Sequence, residues 1–121
     1  MEMENREIIK GIANYLDMDF TFSQVKFLDN EINKNYESDG FYIDFSSINF
    51  DFSILIIEQD NAWDVVRERV KEIVTDTCNI PSWLEYYIDY DKLTDDSDRG
   101  ETLNRYDGTE YETDNYYIYK A

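Results

Sequence analysis

The chain has 121 residues, and its 28 Asp and Glu side chains face 11 Lys and Arg and no His, which gives a formal net charge of −17. This length fits one domain over residues 1–121, and an aromatic content of 17% excludes a disordered acidic tail, because such tails lack the side chains that build a core. Without His and with one Cys, His-based catalytic triads and zinc sites made of nitrogen and sulfur ligands are also excluded.

The first predicted element is an amphipathic helix over residues 4–17, where apolar side chains from Ile8 to Leu16 recur at helical spacing. Residues 18–40 carry apolar side chains without a clean period, and the composition of 33–40 is that of a loop. The pattern therefore assigns the part before this loop to neither helix nor strand.

At Phe41 the apolar period changes to two, and it continues to Ile56 with a break at two serines. This period predicts a hairpin or two neighbouring strands over 41–46 and 49–58. Residues 1–59 thus combine a helix and a hairpin, and the sequence assigns them no role.

The strongest helical pattern covers residues 62–75, where apolar side chains recur at steps of three and four. Asp60 and Asn61 precede it, and both residue types favour helix caps. Pro81 suits the first turn of a short helix that runs through Tyr87.

Residues 91–98 are expected to add a further helical turn or two. The end of the chain is typical of strand, turn and strand over 103–107 and 110–120, with turn candidates at Asp107-Gly108 and Asp114-Asn115. The predicted class is α+β, with a mainly antiparallel sheet, an N-terminal helix, a central helix and short helices after the proline.

Acidic residues are densest in residues 85–114, where 11 acids face three bases and leave a net charge of −8. The predicted partner-binding residues are these acids, Glu85, Asp89, Asp91, Asp95, Asp96, Asp98, Glu101, Asp107, Glu110, Glu112 and Asp114, with Asp44, Asp51 and Asp64 as additions. Any single carboxylate is ordinarily a solvated surface group, so the prediction rests on the set.

The average charge density is too low to imitate DNA. Duplex DNA carries roughly one charge per 100 Å² of its surface. A folded chain of this mass exposes about 7,000 Å², so 17 excess charges spread evenly give one per roughly 400 Å². Gathered on a third of the surface, the same charges would approach the density of DNA, so a DNA mimic requires that the acids cluster.

Aromatic side chains crowd the same acidic part of the chain. Alternation predicts that about half of its tyrosines lie in the core, and exposed ones are candidates for partner contacts. Trp63 and Trp83 are predicted to lie in the core.

No cofactor or metal motif is present. The four glycines are scattered, and the carboxylates of 91–101 fail the calcium-loop rule whether the loop starts at Asp95 or at Asp96. We expect no cofactor, no metal and no enzymatic activity, although paired carboxylates of the glycosidase type are left open by the sequence. Direct nucleic-acid binding is disfavoured because it needs the opposite charge.

The chain is expected in the host-cell cytosol. It begins without a basic and apolar leader, and its longest apolar run, Ile54 to Ile57, is too short for a membrane span. The single Cys78 excludes an internal disulfide and suits a reducing compartment.

Residues 60–120 resemble the C-terminal part of the ArdA antirestriction family. The similarity lies in an ordered set of segments: the Asp-Asn-Ala-Trp-Asp start of a helix at Asp60, the Ile-Pro-Ser-Trp-Leu segment at Ile80, the Tyr-Ile-Asp-Tyr segment at Tyr87 and a closing strand from Tyr116. The resemblance implies an acidic protein, dimeric in that family, that imitates bent DNA in the DNA cleft of type I restriction–modification enzymes.

The leading hypothesis from the sequence is a DNA-mimic inhibitor of a host defence nuclease, carried by a phage or mobile element. Its partner would be the basic DNA-binding groove of a restriction–modification enzyme or of a CRISPR effector nuclease. The alternative is a small acidic binding module or adaptor, whose charge serves solubility or a basic peptide partner.

Overall fold

A computed structural model describes all 121 residues. The elements in chain order are α1 (Met3–Leu16), α2 (Phe22–Asn35), β1 (Phe41–Asp44), β2 (Ser53–Glu58), α3 (Ala62–Thr77), α4 (Ser82–Glu85), α5 (Tyr90–Asp96), α6 (Arg99–Leu103), β3 (Tyr111–Glu112) and β4 (Tyr116–Lys120). The strands form one antiparallel sheet in the order β1-β2-β4-β3. The α+β class is confirmed, and the N-terminal and central helices lie where the sequence predicted them.

The central strands join the two halves of the chain, because β2 pairs with β4 from Ile54 opposite Lys120 to Glu58 opposite Tyr116. Both central strands are apolar on both faces, in contrast to the simple alternation of a sheet with one wet face. The reason is that helices cover the sheet on both sides, and each fully buried Ile or Leu contributes roughly 1.5–3 kcal/mol by leaving water.

Helices α1 and α2 cover one face of the sheet, where Ile12, Leu28 and Ile56 belong to one buried cluster. Helices α3, α5 and α6 cover the other face, where Val66 and Tyr119 belong to a second buried cluster. The sheet is therefore the middle of three layers, and its ends and edges are the places where loops reach solvent.

Helix α2 lies in the segment that the sequence left unassigned, and the loop predicted over 33–40 is wrong as far as Asn35. The Thr21 hydroxyl accepts from the Gln24 backbone N–H at 3.2 Å, and the Gln24 side chain accepts from the Thr21 backbone N–H at 2.8 Å. This capping box fixes the start of the helix. Only Leu28 and Ile32 of α2 are fully buried, so its apolar stripe is short and hard to recognise.

Both strands predicted from the alternating pattern are shorter than expected. The strand β1 ends where the Asp44 carboxylate accepts from the Ser46 backbone N–H at 2.9 Å, and Asn49 then adopts a left-handed φ of 70°. Phe45 and Phe52 stack with ring centroids 5.8 Å apart. The alternation between the strands therefore belongs to an aromatic turn, not to a sheet.

The cap prediction for the central helix is wrong. Asn61 precedes α3, but its side-chain amide donates to the Ser38 carbonyl at 3.0 Å instead of capping the helix, and Asp60 makes no cap bond. The short helix after Pro81 is confirmed as α4, although it ends at Glu85 and not at Tyr87.

The strand predicted over 103–107 is wrong, because α6 extends to Leu103 and a bend follows. There the Asn104 side-chain oxygen accepts from the backbone N–H groups of Tyr106 and Asp107. The C-terminal hairpin is confirmed as β3 and β4, and its turn includes Asp114-Asn115 as predicted.

Candidate acidic interface

Three predicted site residues on α5 bind side chains of the chain itself. Asp91 accepts from Arg67 Nε at 2.7 Å, and Asp95 accepts from the indole N–H of Trp63 at 2.8 Å. Asp96 pairs with Lys92 at 3.3 Å. The first two bonds tie α5 to α3, so these carboxylates help to hold the helical layer together.

Two further predicted acids cap helices. Asp89 accepts from the Lys92 backbone N–H at the start of α5, and Asp98 accepts from the Glu101 backbone N–H at the start of α6, both at 3.0 Å. Such caps stabilise a helix by about 1 kcal/mol. Because cap geometry alone explains why an Asp stands at each position, neither residue is evidence for a partner.

Glu110 is the most tightly held predicted acid. It accepts two hydrogen bonds from Arg99, at 2.9 and 3.1 Å, and one from the Tyr119 hydroxyl, which lies in the core. The hydrogen bonds to Glu110 raise the pKa of Arg99, while burial and the same carboxylate raise the pKa of Tyr119. Arg99 also lies 4.3 Å from the ring centroid of Tyr117, which fixes its guanidinium further.

Asp107 and Glu85 also have partners within the chain. Asp107 accepts from the Thr109 hydroxyl at 2.7 Å and pairs with Lys120 at 3.5 Å, and the bonds from Thr109 lower the pKa of its carboxyl group. Glu85 accepts from the Tyr90 hydroxyl at 3.2 Å.

We call the predicted acids that have such partners the clamped acids: Glu85, Asp89, Asp91, Asp95, Asp96, Asp98, Asp107 and Glu110. Of the remaining three, Glu101 and Asp114 accept no side-chain or backbone hydrogen bond, and Glu112 receives one from Gln59 at 3.5 Å. The dense acidic run of the sequence is thus largely engaged within the fold.

The first half of the chain is different. Residues 1–59 hold 12 acids and 4 bases, and none of these charged side chains is in an ion pair. All six ion pairs of the chain lie within residues 67–120. Of the additional candidates, Asp44 caps a turn, and Asp51 and Asp64 are exposed without a side-chain partner.

One end of the sheet collects loops from distant parts of the chain. The Glu58 backbone N–H donates to the Ser38 carbonyl at 3.2 Å, and the Gln59 backbone N–H donates to the Asn115 carbonyl at 3.0 Å. The Gln59 side chain also donates to the Thr113 carbonyl at 2.6 Å. Loops that precede β1, follow β2 and connect β3 to β4 therefore meet at this end.

Helix α1 joins the same end through Glu7. Its carboxylate accepts from the Thr113 hydroxyl at 2.7 Å and from both the backbone N–H and the side-chain amide of Asn115 at 2.8 Å. Burial by itself would raise the pKa of Glu7, but these hydrogen bonds outweigh it and lower the pKa. Glu7 thus stays charged at a place where other acids gather.

An open cleft of about 360 Å³ at this end is lined by Tyr36, Tyr116 and Glu58, together with Glu2 and Glu4. The Tyr36 hydroxyl donates to Glu58 at 2.5 Å and lies 3.3 Å from the Tyr116 hydroxyl. Burial raises the pKa of both tyrosines, and the nearby carboxylates raise that of Tyr116 further.

We call this collection of carboxylates the acidic sheet end, and its members are Glu4, Glu7, Glu37, Asp39, Glu58, Asp60, Glu112 and Asp114. One base, Lys10, lines a groove with Glu7, Glu112 and Asp114, but it forms no ion pair. Glu112 and Asp114 are the two members that belong to the predicted set. The other six lie between residues 4 and 60 and were missed.

The local charge density at the acidic sheet end is of the order found on DNA. Four strands are about 20 Å wide, and helices on both faces make the end about 30 Å deep. Eight carboxylates and Lys10 on roughly 600 Å² of projected area leave about one excess charge per 85 Å², against roughly 100 Å² for duplex DNA. The whole surface of 7784 Å² with 17 excess charges gives only one per roughly 460 Å².

The aromatic predictions are partly wrong. Trp63 and Trp83 are 41% and 68% exposed, and neither lies in the core. Trp63 is held at the surface because its indole N–H donates to Asp95. The acidic half of the chain buries three tyrosines fully, Tyr90, Tyr116 and Tyr119, and leaves Tyr86, Tyr87 and Tyr106 exposed.

Comparisons with known proteins give no match: no protein-family model, no curated protein and no solved structure matches the chain. The structure brings no three Asp, Glu or Cys side chains into an arrangement that could hold a metal ion. It also contains no helix with the length and apolar character that crossing a bilayer requires.

Proposed function

We propose that this chain is a DNA mimic that inhibits a host defence nuclease by occupying its basic DNA-binding groove. The observation that carries the proposal is the acidic sheet end, where eight carboxylates from separate segments share one end of the fold without an ion pair. Carboxylates at this density present to Lys and Arg side chains a charge pattern similar to that of phosphates.

In the proposed mechanism the chain competes with DNA for the basic groove, and electrostatic steering speeds its encounter with that groove. A net charge of −17 creates a negative field that speeds encounter with a basic groove, and complementary fields of this kind raise association rates at low salt. Once docked, the acidic sheet end would accept charge-assisted hydrogen bonds from the Lys and Arg side chains that otherwise bind the DNA backbone. The target is either a type I restriction–modification enzyme or a CRISPR effector nuclease, since both bind nucleic acid in basic clefts.

A direct test is a cleavage assay with a purified type I restriction enzyme and a purified Cas9-type nuclease, each titrated with the chain. We expect inhibition of at least one of them, weakened tenfold or more between about 50 and 200 mM salt and relieved by excess non-target duplex DNA. Inhibition that is unchanged by both salt and competing DNA, or no inhibition of either enzyme, would contradict the proposal.

The second candidate is an acidic module that binds a basic peptide, in the cytosol and without enzymatic activity. The observation in its favour is the cleft of about 360 Å³ between Glu4, Tyr36 and Glu58, which has the size and charge to take one Lys or Arg side chain. If the chain bound an isolated Lys-rich peptide as tightly as it binds a nuclease, the result would favour this candidate over a DNA mimic.

A further inference from the structure

A second surface feature lies away from the acidic sheet end, in residues 80–87 between α3 and α5. We call these residues the aromatic knuckle. Trp83, Tyr86 and Tyr87 are 68%, 94% and 80% exposed, and Leu84 beside them is 39% exposed. Large side chains in a group of this kind are unusual on a protein surface and mark interaction sites.

The exposed aromatic side chains have no bonding role inside the fold. Trp83, Tyr86 and Tyr87 take part in no side-chain hydrogen bond, ring stack or cation–π contact of the chain. By contrast, the nearby Trp63 and Tyr90 each donate to a carboxylate. Fold stability therefore does not explain why three large rings stand at these positions.

The backbone of the knuckle is nevertheless fixed. The Leu84 N–H donates to the Pro81 carbonyl at 2.9 Å, the Tyr87 N–H to the Leu84 carbonyl at 3.0 Å, and the Ile88 N–H to the Glu85 carbonyl at 3.1 Å. Ile88 then packs against the apolar cluster beneath α3. A patch held in this way loses little conformational entropy when it binds, which favours affinity.

The size of the patch limits what it can bind alone. Three mostly exposed rings of this type present about 500 Å². A stable interface buries about 800 Å² on each partner, so the knuckle needs further contacts around it. These contacts must come from the residues that surround the rings. The charge of those residues therefore indicates which class of partner fits the surface.

The surroundings are acidic on balance. Residues 72–91 contain no base and five acids; Arg69 pairs with Glu72 and Arg67 pairs with Asp91, while Asp76, Glu85 and Asp89 are in no ion pair. A second copy of this chain would place the same three unpaired acids opposite them, and nucleic acid or an anionic membrane would also be repelled. A protein surface with Lys and Arg around an apolar cleft is complementary to both features, because cations are also attracted to ring faces.

We propose that the aromatic knuckle docks into an apolar cleft bordered by Lys and Arg on a protein partner. The exposed rings supply the part of the binding that salt does not weaken. The nearby acids that are in no ion pair, Asp76, Glu85 and Asp89, supply the part that salt screens. This inference deepens the proposed function, and it rests on that function for the identity of the partner as a basic protein.

The test uses two synthetic peptides of equal charge as probes. One is an amphipathic helix of Lys and Leu, and in the other Ser replaces every Leu. Binding is measured by calorimetry and by tryptophan emission at about 50 and 500 mM salt, and the part of the emission change that Trp83→Ala removes is assigned to Trp83 and not to Trp63. We expect the Leu peptide to bind at both salt concentrations with a blue shift of the emission, and the Ser peptide to bind only at low salt.

Variants assign the difference to the knuckle. Trp83→Ala and Tyr87→Ala should each weaken binding of the Leu peptide about tenfold or more and leave binding of the Ser peptide unchanged. The matched control is Phe22→Ala, since this ring is 85% exposed at the start of α2, in the helix layer on the other face of the sheet. Both target rings are exposed, so the variants should fold, and circular dichroism checks this.

Equal binding of the two peptides by the natural chain, or a Trp83→Ala variant that keeps the preference for Leu, would overturn the inference. So would a dimer in sedimentation that Trp83→Ala dissociates, because the knuckle would then bind a second copy. The peptide preference does not depend on any nuclease. A chain that inhibits no nuclease but prefers the Leu peptide would contradict the proposed function alone, and the opposite result would contradict this inference alone.

Discussion

The acidic sheet end and the clamped acids contain the same number of carboxylates, but they differ in what those carboxylates touch. The clamped acids receive hydrogen bonds from Arg99, Arg67 and Trp63 and cap two helices. The acidic sheet end forms no ion pair, although Lys10 lines one of its grooves and Arg69 and Arg105 line a cleft with Asp39. The first group organises the helical layer. In the second group, Glu7, Glu58 and Glu112 accept hydrogen bonds within the fold, and the other five carboxylates leave their charge available to a partner.

The difference shows that a run of acids in a sequence does not locate free charge. Bases that neutralise a run can come from elsewhere in the chain, as Arg67 and Lys120 do here. Free charge instead arises where loops meet and no base is close enough to form an ion pair. Binding of a basic partner should therefore depend much more on the acidic sheet end than on the clamped acids.

Charge reversal gives the largest expected effect. Replacing Glu37, Asp39 and Asp60 together by Lys should weaken nuclease inhibition about 100-fold, because three contacts with basic side chains become repulsive, each costing on the order of 1 kcal/mol. The measurement is the inhibition constant in the cleavage assay at fixed salt.

The matched control for this reversal replaces Asp95, Asp96 and Asp98 by Lys, which changes the formal charge by the same amount. We expect inhibition to fall by less than tenfold and the free energy of unfolding to fall by about 2 kcal/mol, because a helix cap and two side-chain bonds are lost. Equal losses of inhibition in the two triple variants would remove the distinction between the groups.

Much of the fold could be predicted from the sequence. Helices α1 and α3 have long apolar stripes with a single helical period, and a sequence with such a pattern is compatible with few other secondary structures. Helix α2 was missed because only Leu28 and Ile32 of it are fully buried. The aromatic turn was mistaken for strand because Phe45 and Phe52 pack on each other while they keep the alternating spacing.

The candidate site was harder to predict than the fold. Only Glu112 and Asp114 of the acidic sheet end fall in the predicted set, since the other members are spread over residues 4–60 and meet only when the sheet forms. The pairing of β2 with β4 brings Glu58 beside Tyr116, and no local pattern records it. A signal was available in residues 1–59, where 12 acids face 4 bases, but it gave no position.

The second prediction concerns stability. Glu110→Gln should lower the free energy of unfolding by about 2 kcal/mol, because it removes the charge that Arg99 binds through two hydrogen bonds and weakens the acceptor of the Tyr119 hydroxyl. Urea unfolding at neutral pH measures it. The control Glu112→Gln, at the acidic sheet end, should change stability by no more than about 0.5 kcal/mol.

The third prediction is a loss of stability at alkaline pH, to which Tyr119 contributes together with the other tyrosines of raised pKa, Tyr36, Tyr90 and Tyr116. Burial first, and then Glu110, raise the pKa of Tyr119 above its ordinary value of 10. When the pKa is raised in the folded state, stability has its full value below about pH 10, the ordinary pKa, and it falls as the pH rises from there toward the raised pKa. Unfolding measured at pH 7 and at about pH 10.5 should therefore show a clear decrease.

Two tyrosine variants locate the origin of this decrease. Tyr119→Phe should reduce the alkaline loss, at a cost of about 1 kcal/mol at neutral pH for the lost hydrogen bond. Tyr86→Phe should leave both stabilities as they are, because that hydroxyl has no partner and 94% of the residue is exposed. An alkaline loss that persists in full in Tyr119→Phe would contradict the contribution of Tyr119.

The smallest expected effect is a gain. Neutralising Glu37→Gln and Asp39→Asn together should raise the free energy of unfolding by about 0.5 kcal/mol, because these carboxylates repel their neighbours and have no partner to lose. The gain should shrink as salt rises to about 0.5 M, since screening already weakens the repulsion. Neutralising Asp91→Asn and Asp96→Asn should have the opposite sign, because each gives up a base. If the two double variants raised the free energy of unfolding equally, Asp91 and Asp96 would gain no more from their partners than Glu37 and Asp39 do, and the distinction between the two groups would fail.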